Sequence, residues 1–197
     1  MNMHSIGAYL IAGALVGAGA VAVPGVADAK GKNSPVPGKP GDQNIVEIAS
    51  AVNGQTGEFE YLLAAVGCLT DPLTGENPVV AVLTGEDKVT LFAPTDEAFM
   101  NLLGDSAEPK DICDLGPETV ADVLTYHVTD GRRFSNSVFN KNRPKDIEMF
   151  NGEWITTNPD LTINDVAGQT IGVVPGFVNI NASNGVIHVI NTVMLPF

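Results

Sequence analysis

The fold of this 197-residue chain is decided by its closing stretch, Asn184-Gly185-Val186-Ile187-His188-Val189-Ile190. Asn-Gly is a strong signal for a turn between two strands. The residues after it are apolar at both alternating positions, apart from the single histidine. A strand with only one buried face would alternate between apolar and polar residues, so this pattern predicts an inner strand covered on both faces.

Shorter strands precede this one. Asn151-Gly152 separates residues 147–150 from residues 154–157. Asn-Gly supplies the positive φ angles of a tight two-residue turn, so we predict a hairpin here. Further strands are predicted at 89–92, 161–163, 170–174 and 178–182.

The first half of the chain has the spacing of amphipathic helices. One helix is predicted from Asp42 to a stop at Gly54, a second ends at Gly67, and a short one covers residues 79–83. The apolar faces of the first two are Ile45, Ile48, Ala49 and Val52, and Phe59, Leu62, Leu63 and Val66.

Two more helices begin with characteristic residues. Thr95 can cap a helix that ends at Gly104, and Pro117 suits the first turn of the next one. Their apolar faces are Phe99, Leu102 and Leu103, and Val120, Val123, Leu124 and His127. Helices followed by mostly neighbouring strands predict an α+β fold rather than a doubly wound parallel sheet.

Composition and charge exclude several functional classes. With 44% hydrophobic and 17% charged residues, the chain resembles neither a disordered nor a collagen-like protein. Ten Lys and Arg against 23 Asp and Glu give a net charge of −13. A field of that sign repels phosphate backbones and anionic lipids, so nucleic acid is not an expected partner.

The start of the chain has the pattern of a secretory signal. Residues 6–23 carry no charge, and Ala27-Asp28-Ala29 is a small-x-small cleavage site. We predict a signal peptide at 1–29 whose removal leaves no transmembrane anchor, although no Lys or Arg precedes the apolar run and its length is near that of a short membrane span. Residues 30–41, rich in Pro, Gly and Lys, are a predicted linker to a single domain at 42–197.

The chain has two cysteines, Cys68 and Cys113. Export would place them where oxidation is permitted, and no third cysteine competes for either, so we predict a disulfide. A zinc site is the alternative, but two isolated cysteines without a nearby histidine pair do not complete one.

Three stretches resemble the fasciclin-like domain of extracellular adhesion proteins. They are Val89-Thr90-Leu91-Phe92-Ala93-Pro94-Thr95-Asp96-Glu97-Ala98-Phe99, Leu124-Thr125-Tyr126-His127-Val128, and Asn184-Gly185-Val186-Ile187-His188-Val189-Ile190-Asn191-Thr192-Val193-Met194-Leu195-Pro196. The resemblance covers essentially the whole domain. It implies a β-wedge of two small sheets packed with several helices, in a secreted or surface-held protein of adhesion or matrix organisation.

The resemblance also points to contact residues. In adhesive members an Asp-Ile pair before the closing block is implicated in receptor binding, and the matching residues here are Asn179 and Ile180. The carboxylate is missing, which puts that mode of binding in doubt. Asp111-Ile112 and Asp146-Ile147 occur elsewhere, in segments expected to be loops.

The Tyr-His motif, Tyr126 and His127, allows two interpretations. Because His127 shares a helical stripe with apolar residues, a buried, hydrogen-bonded histidine is favoured, while Tyr126 on a contact surface is the alternative. His188 lies in the predicted inner strand, where a structural role is expected.

A local basic segment breaks the acidic pattern. Residues 131–145 contain no Asp or Glu and carry five cations, Arg132, Arg133, Lys141, Arg143 and Lys145, interleaved with Phe134 and Phe139. Such a segment could bind an acidic glycan or an acidic protein surface. A solvated loop that balances charge, with its Phe side chains in the core, is the favoured alternative.

Catalytic motifs are weak. The stretch around Ser106 approaches a nucleophile elbow but lacks its second glycine, and no phosphate-binding loop or HExxH pair occurs. We therefore expect neither an enzyme nor a cofactor or metal, but a secreted or cell-surface binding module whose partner is a cell-surface protein or glycan. Self-association would strengthen a weak site. A periplasmic or envelope-associated structural protein is the alternative.

Overall fold

A computed structural model describes residues 43–71 and 74–197. The predicted signal peptide and linker lie outside the described residues. The helices are α1 (Ile45–Thr56), α2 (Glu60–Gly67), α3 (Pro78–Thr84), α4 (Asp96–Leu103), α5 (Pro117–Tyr126) and α6 (Ser135–Val138), with a 3₁₀ helix at Pro109–Leu115. The strands are β1 (Val89–Pro94), β2 (Val128–Asp130), β3 (Lys145–Glu148), β4 (Trp154–Thr157), β5 (Thr162–Asn164), β6 (Thr170–Gly172), β7 (Ile180–Ala182) and β8 (Gly185–Ile190).

The closing stretch forms the inner strand that the sequence predicts. In the first sheet the order is β2-β1-β8-β7, and β8 runs parallel to β1 and antiparallel to β7. Every residue of β1 and β8 is buried. Alternate residues explain why: Leu91 and Ile187 pack against the helices, whereas Phe92 and Ile190 belong to a second apolar cluster on the other face.

That second cluster lies between the two sheets. The second sheet is an antiparallel meander in the order β3-β4-β5-β6, and one isoleucine from each strand points into the cluster. These are Ile147, Ile155, Ile163 and Ile171. The sheets meet where Val173 pairs with Ile190 at the end of β8. Helices packed on one sheet, with a second sheet on its other face, make an α+β fold, which confirms the predicted class.

The two Asn-Gly turns differ from the prediction. The β3–β4 hairpin is present, but five residues, 149–153, connect its strands, and the Met149 N–H donates to the Glu153 carbonyl (2.9 Å). At the second site the turn is Ser183-Asn184, and Gly185 already pairs with Val89 in the sheet. A side chain there would collide with the Val89 carbonyl oxygen and lie 2.7 Å from Ile45 Cδ1. Gly185 therefore permits a close backbone approach rather than a turn.

Two helix predictions are also wrong in detail. Helix α1 continues past Gly54 to Thr56, and Gly57, in the left-handed conformation at φ 74°, caps it. Leu102 does not enter the core but is 43% exposed, at the rim of an apolar cavity of about 200 Å³ between α4, α5 and the C-terminal residues. Ala98 and Phe99 form the buried face of α4 instead.

The predicted disulfide is present. Cys68 follows α2 and Cys113 lies in the 3₁₀ helix, with their Cα atoms 5.4 Å apart. The bond ties the helical layer together across 45 positions of sequence.

Candidate functional site

His127 is an interior connector between α5 and the C-terminal segment. Its Nδ1–H donates to the Val123 carbonyl (2.6 Å), and its Nε2 accepts from the Met194 N–H (3.0 Å). The ring is neutral in this arrangement, since only one nitrogen carries a proton. Burial lowers the pKa of His127 from 6.5 to about 4, although the Val123 carbonyl and the Asp165 carboxylate oppose the shift. The prediction that His127 is buried and hydrogen-bonded is confirmed.

Tyr126 is equally buried, so the alternative that places it on a contact surface is wrong. Its hydroxyl donates to the Trp154 carbonyl and accepts from the Val166 N–H, each at 3.1 Å. Burial raises the pKa of Tyr126 to about 12. The side chain therefore holds the backbone of the second sheet from inside.

Asn179 and Ile180 do not form an exposed pair. Ile180 is buried in β7. The Asn179 side chain accepts from the Ser135 N–H (2.6 Å) and donates to Ser135 Oγ (2.8 Å), while its backbone adopts the left-handed conformation at φ 61°. Asn tolerates that conformation better than most residues. The hydrogen bonds of Asn179 thus connect the start of β7 to the start of α6.

The same corner contains His188. Its Nδ1 accepts from the Asn179 N–H (3.3 Å), and its Nε2–H donates to the Arg133 carbonyl (2.9 Å). The ring packs near Phe92 and Phe139. Burial lowers the pKa of His188 from 6.5 to about 4. The expected structural role is confirmed.

The basic segment does not form one free patch. Arg132 donates to the Asn181 side chain (2.5 Å) and to the Ala182 and Ser183 carbonyls (2.8 and 2.9 Å), which braces the β7–β8 turn. Arg133 and Lys145 each donate to a backbone carbonyl at 2.7 Å. Lys141 and Arg143 remain exposed, whereas Phe139 is buried and Phe134 half-buried. The segment also contains α6, for which the sequence gives no helical pattern.

One surface did not emerge from the sequence. Alternation along the strands of the second sheet sends one set of side chains into the core and the other outward, and we call the outward set the outer face. It comprises Asp146 and Glu148 from β3, Trp154 and Thr156 from β4, Thr162 and Asn164 from β5, and Thr170 and Gly172 from β6. Trp154 is 51% exposed. The alternation of Trp154-Ile155-Thr156-Thr157 is the signal that could have revealed it.

The two Asp-Ile pairs lie in regular secondary structure. Asp111 lies in the 3₁₀ helix and accepts from the Glu108 N–H (2.8 Å), with Ile112 buried beside it. Asp146 lies in β3 rather than in a loop, and its neighbour Ile147 points into the core.

Several features are absent from residues 43–71 and 74–197. No group of three or more His, Cys, Asp and Glu side chains there is placed to hold a metal ion. No helix of this part is both long and apolar enough to cross a membrane. Every buried side-chain nitrogen and oxygen in it has a hydrogen-bond partner.

Comparison with known proteins identifies the family of this domain. The fasciclin domain model matches residues 69–196. The chain belongs to the fasciclin domain family. That family is associated with cell adhesion, and its domains are generally non-catalytic and typically extracellular or surface-held.

Individual relatives of this fasciclin domain span distant organisms. Protein sll1483 of Synechocystis sp. is 30% identical over 152 residues, covering 77% of this chain and 73% of the relative. Transforming growth factor-beta-induced protein ig-h3 of Sus scrofa is 30% identical over 155 residues, covering 68% of this chain but 20% of the pig protein. A solved domain pair of the insect cell adhesion molecule fasciclin I has a TM-score of 0.45 at 15% identity, covering 69% of this chain and 43% of that one.

Proposed function

We propose that this protein is a secreted binding module of cell adhesion or extracellular matrix organisation, and that it is not an enzyme. The observation that carries the proposal is the fasciclin domain match over residues 69–196. The match covers most of the described residues, and we place the binding function in this domain.

The interior chemistry supports binding rather than catalysis. A general base must reach a substrate proton. His127 and His188 are instead buried, and each ring donates one hydrogen bond and accepts another within the protein. They hold loops and strands in place, and recognition is left to the surface.

Export is supported by two features of the chain. The apolar stretch with a cleavage site at residues 1–29 has the form of a secretory signal. The Cys68–Cys113 disulfide is stable in the oxidising conditions outside the cytosol. We propose that the mature protein acts outside the cell, at the cell surface or in the periplasm.

The proposed partner is a cell-surface protein or glycan. Lys141 and Arg143 are the members of the basic segment that remain exposed for such a contact. Arg132, Arg133 and Lys145 shape the same surface through their hydrogen bonds to backbone carbonyls. Asn179 and Ile180 act there only as internal supports. Association with further copies would raise the avidity of a weak site.

Cell attachment tests the proposal. The oxidised protein is immobilised, cells of the source organism and of neighbouring species are added, and bound cells are counted after washing. A heat-unfolded and reduced sample at equal surface density is the control. We expect attachment to the folded protein alone. Equal attachment to both surfaces, or to neither, would favour a structural role in the envelope.

A further inference from the structure

We infer that the outer face binds a neutral polysaccharide, with Trp154 as the platform on which a sugar ring stacks. The inference rests on the proposed function, because it names the ligand class of that binding module. It concerns a surface distinct from the basic segment.

The polar side chains of the outer face form a continuous row across four strands. Asp146 lies opposite Thr156, Thr156 opposite Asn164, and Asn164 opposite Thr170. Neighbouring strands are about 4.8 Å apart, so the row is about 14 Å long. It is therefore long enough to lie along an oligosaccharide rather than a single sugar.

The row offers both donors and acceptors. The Thr156 hydroxyl donates to Asp146 Oδ1 (2.7 Å) and the Thr170 hydroxyl donates to Asn164 Oδ1 (3.4 Å), which leaves the lone pairs of both hydroxyl oxygens available to accept from a ligand. Within the described part of the chain, the amide nitrogen of Asn164 and the carboxylate of Glu148 have no protein partner. Sugar hydroxyls, which both donate and accept, match this mixture.

Trp154 supplies the apolar part of the site. It lies opposite Glu148, at one side of the polar row, and half of its surface is exposed. The backbone of Val166, whose side chain is also exposed, lies close to the Trp154 backbone, because the Tyr126 hydroxyl bonds to both. An exposed indole beside hydrogen-bonding groups suits the apolar face of a pyranose ring, and indoles are frequent centres of binding energy.

Charge selects a neutral ligand. None of the outward residues of the four strands is Lys or Arg, and Asp146 and Glu148 are carboxylates. The protein as a whole carries −13. Sulfated or uronate-rich glycans would meet repulsion here. The carboxylates are confined to β3, and the other three strands present hydroxyl, amide and indole groups, so hydrogen bonding rather than attraction of a cationic partner dominates the face.

The backbone that carries Trp154 is anchored from the inner side of the sheet. Tyr126 is fully buried and anchors the Trp154 backbone, and Thr157 Oγ1 donates to the Val138 carbonyl (2.7 Å) on the inner side of the same strand. A platform fixed in advance loses little conformational entropy on binding.

Electrophoresis in gels containing a polysaccharide tests the inference directly. The native protein is run through gels with a soluble β-glucan, mannan or xylan, and through gels with heparin or polygalacturonate. We expect at least one neutral polymer to retard the protein, and we expect this retardation to change little with salt. The acidic polymers should not retard the protein. Because Trp154 is the single tryptophan of the chain, its fluorescence must also change saturably with the matching oligosaccharide.

Variants locate the site. Trp154→Ala should weaken binding roughly tenfold or more, and Asn164→Ala several-fold. Phe177→Ala, which removes an aromatic side chain 44% exposed outside this sheet, is the matched control and should bind as the native protein does. Unchanged urea midpoints show that each variant is folded.

The outcomes separate this inference from the proposed function. No retardation by any neutral polymer, equal retardation by the acidic ones, or full binding by Trp154→Ala overturns the glycan site. Steep loss of retardation with salt would show that charge, rather than hydrogen bonding and stacking, carries the binding, and would overturn the glycan site too. If the protein binds a polysaccharide but cells do not attach to it, only the proposed adhesive function is contradicted. If cells attach equally to the native protein and to Trp154→Ala, and no polysaccharide retards the native protein, only the glycan site is contradicted.

Discussion

Acid is expected to destabilise the domain through its two buried histidines. Burial lowers the pKa of both His127 and His188 from 6.5 to about 4. Between those values the unfolded chain binds protons that the folded protein excludes, so stability is complete above pH 6.5 and falls as the pH decreases towards 4. One pKa unit corresponds to about 1.4 kcal/mol, so each histidine accounts for about 3 kcal/mol across the whole window and about 2 kcal/mol at pH 5.

Burial is the main cause, and the hydrogen bond that each neutral ring accepts also disfavours the protonated form. Protonation would convert His127 Nε2 from an acceptor into a donor, which would then face the Met194 N–H, another donor. Protonation of His188 Nδ1 would create the same conflict with the Asn179 N–H. Together the two rings should lower the free energy of unfolding by about 4 kcal/mol between pH 7 and pH 5. The total free energy of unfolding of a native protein is only about 5–15 kcal/mol.

Urea unfolding at a series of pH values measures this change, followed by far-ultraviolet circular dichroism and by the fluorescence of Trp154. His127→Gln and His188→Gln, each of which keeps one donor and one acceptor, should each remove about half of the slope between pH 5 and pH 7. NMR titration of the ring protons should place both pKa values near 4. A folded-state pKa near 6.5 for either ring, or a double variant with the native slope, would refute the reasoning.

Three further predictions follow from packing and covalent structure. Gly185→Ala places a Cβ against a backbone oxygen of β1 and should destabilise the domain by about 1–3 kcal/mol or more, whereas Gly67→Ala, whose Cβ would meet no atom within 4 Å, should change the urea midpoint little. Replacing Cys68 and Cys113 together by Ala should lower the free energy of unfolding by about 4 kcal/mol. A native protein with the same urea midpoint under reducing and oxidising conditions would contradict this. Asn184→Ala removes the buried side chain that accepts from the start of α1 (3.0 Å) and donates to the end of α3 (2.6 Å), and should cost about 1–3 kcal/mol in the same assay.

The sequence predicted those parts of the fold that local periodicity determines. The run after Gly185 lacks polar alternation because helices cover one face of β8 and the second sheet covers the other. Thr95 caps α4 as expected, accepting from the Ala98 N–H (3.2 Å). The turn at Gly185 was misplaced because the glycine is required by a neighbouring strand 96 positions earlier in the chain, at Val89, which no local pattern reveals.

The contact residues were harder to predict for the same reason. Tyr126 and Asn179 are polar, but their hydrogen-bond partners lie 28 to 44 positions away, so only the folded chain shows that these groups are used internally. The outer face was not predicted either, although its side chains do point to the surface. Its row of side chains exists only once four strands pair in register, and within each strand Asp146, Thr156 or Asn164 resembles an ordinary surface residue.

The most direct test of the adhesive function is competition in solution. Cells are allowed to attach to the immobilised protein while soluble, oxidised protein is added in increasing amounts, with the reduced and unfolded protein as the competitor control. We predict that the folded competitor abolishes attachment in a saturable way and that the unfolded one does not. Attachment that persists under a saturating excess of folded protein would contradict a specific binding site on this domain.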